Sequence, residues 1–197
     1  MRLTSLQKIL WAAVGVAVLA YGAVVLRPVA PGSTPVVTIE QQLRPEFRLT
    51  DATGRLVTNS DFAGRFQLVF FGFTNCPDIC PTTLAEVAEV MDALGPDAAR
   101  VQPLFISVDP ERDAGAGLAD YTAAFHPSIL GLAGSAQATQ AAAFSFKIAF
   151  AKEPLGETYT MAHSAALYLI GPDGNWLRQF DYGTQAADIT ADLKSRL

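Results

Sequence analysis

One stretch constrains the fold more than any other. The apolar run Phe66 to Phe71, broken by a single glutamine, passes into Gly72-Phe73-Thr74-Asn75-Cys76-Pro77-Asp78-Ile79-Cys80-Pro81 and then into a helical pattern. A continuous apolar run of this kind marks a central strand buried on both faces. Pro81 suits the first position of a helix, which would make Cys80 the N-cap and leave Cys76 in the loop before it. Leu84, Val87, Ala88, Met91 and Leu94 then recur at helical spacing until Gly95-Pro96 stops them. The two cysteines of the chain therefore sit at a strand-to-helix turn, where the partial positive charge of a helix N-terminus favours thiolate. Thiolate exchanges disulfides and also binds soft metals. Three residues separate the sulfurs, one more than in the ordinary two-residue redox spacing.

The remaining pattern alternates. Phe47 to Thr50 and Arg55 to Thr58 flank Asp51-Ala52-Thr53-Gly54 and read as a hairpin. A second core strand is expected at Val101 to Val108, helices at Leu118 to Phe125 and Ala136 to Phe144, and a short segment at Ile129 to Leu132. Phe146 to Ala151 and Thr158 to Thr160 read as a second hairpin around Pro154-Leu155-Gly156. Ala165 to Ile170 is a third apolar strand, which turns at Gly171-Pro172-Asp173-Gly174 into Trp176 to Phe180. Thr184 is expected to cap a final helix running to Arg196. This order describes an α/β, thioredoxin-like sandwich with an N-terminal β-hairpin extension.

A different kind of segment precedes it. Ile9 to Leu26 is uncharged and 18 residues long, roughly 27 Å as a helix against a hydrocarbon core of about 30 Å. We expect one transmembrane helix, an uncleaved signal anchor over residues 1–27, rather than a cleaved signal peptide. Residues 28–46 hold Pro28, Pro31, Pro35 and Pro45 and read as an extended linker, with a short strand at Val36 to Ile39; residues 47–197 form the domain. Arg2 and Lys8 before the span favour a cytoplasmic N-terminus. Eight residues before the span leave no room for a mitochondrial transit peptide, so the expected location is a bacterial inner membrane with the domain in the periplasm. Beyond Val37 stand 19 acidic and 11 basic residues, a formal charge of −8. That balance argues against nucleic acid and anionic lipid headgroups and suits a basic protein partner. A bridge between Cys76 and Cys80 would close too small a loop to stabilise the fold much, so a structural disulfide is disfavoured.

His126, in Phe125-His126-Pro127, is expected to cover a helix end. His163, in Thr160-Met161-Ala162-His163-Ser164, sits at the threshold of the strand Ala165 to Ile170, whose entering loop approaches the active helix in a thioredoxin-like sheet. No proline precedes that strand closely, where thiol oxidoreductases of this fold present one. Cys76, Cys80 and His163 thus make a three-donor set: thiolates favour Cu(I), and an added nitrogen admits Cu(II). Zinc fits less well, lacking a fourth ligand or a positioned general base. Met161 reads as an apolar side chain rather than a thioether ligand. Asp109 and Asp113 read as helix-start charges favoured by the dipole, and Asp78 as an exposed rim residue.

The run Cys76 to Pro81, the later Asp109-Pro110-Glu111-Arg112-Asp113, and His163-Ser164 leading into Tyr168-Leu169-Ile170-Gly171-Pro172-Asp173-Gly174 together resemble the Sco (SenC-type) copper chaperones. The resemblance implies one copper ion on Cys76, Cys80 and His163. It also implies delivery of copper to, or maturation of, the copper A site of cytochrome c oxidase subunit II, with another periplasmic copper chaperone as a candidate donor. Family members often carry aspartate immediately before the copper histidine, where this chain has Ala162. Two other functions use the same thiols: a thiol-disulfide oxidoreductase that keeps the oxidase subunit's cysteines reduced, with Cys76 and Cys80 as its redox pair, and a peroxide-reducing protein.

Overall fold

The computed structural model of the chain describes residues 43–197, together with Trp11 and Gly15. The rest of the expected membrane helix, most of the linker and the strand at Val36 to Ile39 lie outside the described residues. Among the described residues no helix is long and apolar enough to cross a membrane. The chain divides into two units, Met1–Val36 and Val37–Leu197, and every element below belongs to the second.

The apolar run becomes strand β3, Phe66–Gly72, with all seven residues buried. It pairs in parallel with β4 (Val101–Ser107), which pairs in parallel with β5 (Leu130–Leu132). On its other side it pairs antiparallel with β8 (Leu167–Ile170), which pairs with β9 (Trp176–Phe180). The mixed sheet thus runs β5-β4-β3-β8-β9, with β3 in the middle where both faces are covered. Phe70, Phe71, Phe105 and Phe146 are among the largest fully buried side chains of the domain, each worth about 1.5–3 kcal/mol of apolar burial. Helix α1 (Ile79–Leu94) packs against α4 (Ala186–Lys194), while α2 (Gly115–Ala123) packs on β5 and α3 spans Ala136–Ser145. The alternation read from the sequence is the architecture observed.

Two hairpins stand apart from the sheet. The first joins β1 (Arg48–Thr50) to β2 (Leu56–Thr58). Its turn is closed by the Asp51 carboxylate, which accepts from Thr53 and Arg55. The second joins β6 (Phe150–Leu155) to β7 (Thr158–His163) as its own two-stranded sheet. Pro154 is tolerated there because β6 is an edge.

Several expected boundaries moved: β7 runs on to His163 instead of ending at Thr160, and α2 begins at Gly115 rather than Leu118. Helix α1 begins at Ile79 with Asp78 as N-cap, so Cys80 lies inside the first turn and Pro81 follows it; proline is acceptable throughout that turn because those amides have no intrahelical acceptor. The strand expected from Phe146 starts at Phe150, because residues 146–149 are used in leaving α3. Phe146 and Ile148 donate back to Ala142 and Ala143, and Lys147 takes the left-handed conformation at φ 56°. Thr184 does not cap α4. Gln185 is the N-cap, and the Thr184 hydroxyl donates to the Asp181 carbonyl, closing a local turn instead.

Candidate metal centre

The bend from β3 into α1 carries both cysteines. The Cys76 amide donates to the Phe73 carbonyl at 3.2 Å, which curls the chain, and the Cys80 amide then donates to the Cys76 sulfur at 3.4 Å. The sulfur that meets a free amide of the helix N-terminus is therefore Cys76, which is half-buried. Cys80 is fully buried. Burial pushes its thiol far above the ordinary cysteine range, so desolvation outweighs the helix-start effect expected from the sequence. A soft cation bound here would take the place of the Cys80 proton and hold the sulfur as thiolate.

Gly72 makes room for that sulfur. A Cβ at this position would lie 2.8 Å from Cys80 Sγ, 2.8 Å from Phe105 Cε2 and 3.0 Å from Phe70 Cε1. The last residue of β3 is thus glycine because the thiol sits directly over it.

His163 ends β7 and faces the same sulfur, with Nε2 3.7 Å from Cys80 Sγ. Its ring stands edge-on to Phe70 and Phe73. Burial lowers its pKa, against the opposing effect of its bond to Ser164, and favours the neutral imidazole. Nδ1 lies 3.0 Å from the Ser164 carbonyl, which only accepts, so Nδ1 carries the proton and Nε2 keeps its lone pair toward the cysteines. The Ser164 backbone carbonyl thus fixes both the tautomer and the orientation of the ring. Ala162 itself pairs with Ala151 across the hairpin.

The donor atoms of Cys76, Cys80 and His163 all lie within 4.8 Å of one another. Two atoms bound to one ion at bond lengths of about 2.0–2.3 Å are at most about 4.6 Å apart. Three donors spread around one ion lie only about 3.7–4.0 Å apart at those bond lengths, so the set closes by up to about 1 Å to bind. Two soft sulfurs and an imidazole form a donor group suited to copper.

The other sequence candidates lie elsewhere. His126 closes the end of α2 with its backbone amide, which donates to the Thr122 carbonyl at 3.3 Å, while its ring binds Ser128 through Nδ1 and approaches Asp92 of α1 at 3.6 Å. Met161 is buried in the core. Asp109 and Asp113 are not helix-start charges: both are buried, and α2 begins only at Gly115 with Ala114 as N-cap. Asp113 accepts from the Thr74 amide at 2.9 Å, from the Thr74 hydroxyl and from Ser107 at 2.8 Å, and so moors the cysteine loop. Asp109 accepts from Tyr159 Oη at 2.9 Å and pairs with Arg112. These tethers, Gly72 and Tyr159 were missed in the sequence. The only signal was two carboxylates in a loop directly after a core strand.

The comparisons come from the whole domain. The family model described as SCO1/SenC matches residues 37–197. The chain is 40% identical over 156 residues to the SCO2 homolog, mitochondrial, of Bos taurus, an alignment covering 77% of this chain and 59% of that protein. It spans a little over half the length of the mitochondrial relatives it matches. Among solved structures it is similar to Bradyrhizobium japonicum ScoI with copper bound, at 40% identity and a TM-score of 0.72, covering 77% of this chain and 98% of that one. BsSco, a member of the Sco family of cytochrome c oxidase assembly proteins in which a disulfide switch is identified, aligns at 30% identity and a TM-score of 0.63, covering 77% and 91%.

Proposed function

The chain belongs to the SCO1/SenC family, and from that membership we propose that it is a membrane-anchored copper metallochaperone. In this reading it holds copper on Cys76, Cys80 and His163 and delivers it to, or matures, the copper A site of cytochrome c oxidase subunit II. The observation that carries the proposal is the convergence of three donor atoms from two distant chain segments within 4.8 Å. Residues 9–26 anchor the protein in a bacterial inner membrane with the domain in the periplasm, an orientation supported by Arg2 and Lys8 ahead of the apolar stretch. The acidic domain suits a basic docking face on the recipient, and another periplasmic copper chaperone is the candidate donor.

Copper is cargo here, and transfer is ligand exchange. Two thiolates suffice for Cu(I), and the imidazole extends the site to Cu(II). Cys76 is the more exposed sulfur, so an incoming thiolate of the recipient competes first for the ion on that side. Cys80 and His163, packed against β3, retain it until the exchange is complete.

A second reading rests on the same half-exposed sulfur at the helix N-terminus. Cys76 thiolate attacks a disulfide of the oxidase subunit to form a mixed disulfide. Cys80 then resolves it, leaving the recipient with two thiols and this chain with a Cys76–Cys80 disulfide. The disulfide switch identified in BsSco supports keeping this reading. Copper transfer from wild type and His163→Ala to the copper-binding domain of subunit II, measured beside disulfide reduction, separates the two. The chaperone reading expects transfer to fail in the variant while reduction survives. Unimpaired transfer without the imidazole, or no copper bound by wild type, overturns it.

A further inference from the structure

The β6–β7 hairpin shares no backbone ladder with the main sheet, yet its last residue is His163. Side chains alternate along a strand, so Tyr159, Met161 and His163 share one face of β7. Met161 is buried in the core, and His163 faces the cysteines. Tyr159 is gripped by the loop between β4 and α2. Its hydroxyl donates to Asp109 and its carbonyl accepts from Arg112 Nη1 at 3.2 Å. The Arg112 guanidinium lies 3.8 Å from the ring centroid, as does the Lys152 ammonium, which pairs at 2.6 Å with Glu111 of the same loop. Through Asp113 and Thr74 that one loop also moors the cysteines. Its own shape is fixed by bonds from Ser107 to Asp113, from the Asp109 amide to Ser107, and from the Arg112 and Asp113 amides to the Asp109 carbonyl.

We propose that the Ser107–Asp113 loop gauges the metal centre, with Asp109, Arg112 and Tyr159 as positioning residues that hold the imidazole at its distance from the sulfurs. The proposal rests on the reading that His163 ligates copper. Without the latch the hairpin keeps its internal ladder and its bond from Ser164 to Ala149, and pivots there. The cysteines are moored through Asp113 and Thr74, which are not part of the latch, and stay in place. Loss of the latch therefore weakens the state that needs nitrogen and spares the state that two sulfurs can hold.

The test uses the full chain in detergent, titrated with Cu(I) and with Cu(II). Tyr159→Phe deletes the hydroxyl bond to Asp109, and Arg112→Lys keeps the charge but deletes the stacked guanidinium and its bond to the Tyr159 carbonyl. In each variant Cu(II) affinity is expected to fall about tenfold or more while Cu(I) affinity stays within about threefold. The Cu(II) absorption and electron paramagnetic resonance spectra are expected to move toward those of His163→Ala. Wild-type Cu(II) affinity and spectra in both variants overturn the proposal, as does an equal loss of both oxidation states, which is general damage rather than lost positioning. If wild type binds no copper, or His163→Ala leaves Cu(II) binding intact, the metal centre itself is wrong and the latch falls with it.

Discussion

Adding one methyl group at Gly72 tests the packing beneath the cysteines directly. The Cβ of Gly72→Ala would arrive 2.8 Å from both Cys80 Sγ and Phe105 Cε2 and 3.0 Å from Phe70 Cε1, closer than non-bonded atoms settle. None of the three neighbours has solvent to retreat into, since Cys80, Phe70 and Phe105 are at most 1% exposed. Overpacking of a filled core costs about 1–3 kcal/mol, which in a domain of this size lowers Tm by roughly 2–12 °C. The side chain freest to move is the thiol, so the sulfur is driven from its place 3.7 Å from His163 Nε2, and copper affinity falls by about tenfold. Thermal unfolding of the reduced apoprotein followed by circular dichroism measures the first effect, and competition with a chromophoric Cu(I) chelator measures the second. Adding Phe105→Leu removes one of the two closest contacts and is expected to recover part of the loss, by about 0.5 kcal/mol or more of coupling. A Gly72→Ala protein with wild-type Tm and copper affinity would refute the argument that the glycine exists to seat the sulfur.

Asp113→Ala leaves the Thr74 amide, the Thr74 hydroxyl and the Ser107 hydroxyl without their acceptor; at about 1–3 kcal/mol for each buried unsatisfied group, urea unfolding is expected to reveal one of the most damaging single changes in the domain, and a wild-type midpoint would contradict it. The Asp192 carboxyl is held below its ordinary range chiefly by hydrogen bonds from Arg196 and then Arg178. A depressed carboxylate stabilises the fold above its unfolded pKa of about 3.9 and ceases to do so as pH falls through the lower folded value. The stability difference between wild type and Asp192→Asn is therefore expected at neutral pH and to shrink below about pH 4, and a difference that grows on acidification would reverse the sign of the argument.

The sheet was legible in the sequence because its central strands are largely apolar, so β3, β4 and β8 announced themselves without tertiary information. Helix α1 was equally plain in its spacing, and the pairing of His163 with the cysteines followed from where the fold places the approach to β8. What escaped reading depends on burial. Asp109 and Asp113 look like ordinary helix-start carboxylates until both prove buried and bonded to other segments. Cys80 was assigned a favoured thiolate from its position on the helix, whereas its desolvation, visible only once Phe105 and Phe70 close around Gly72, pushes the other way. Tyr159 carried no motif at all. Its part emerges only from the distance between two loops remote in sequence.

The alternating geometry of β7 sets a rule of parity for this architecture. One residue inserted between Tyr159 and His163 would turn the imidazole to the opposite side of the ribbon, and two would restore its side but shift it by about 7 Å. The bend at Gly156-Glu157, by contrast, lies beyond every contact that fixes the base of the ribbon. Foreign recognition peptides grafted at that bend should alter which proteins the domain meets while leaving its cargo chemistry as it was.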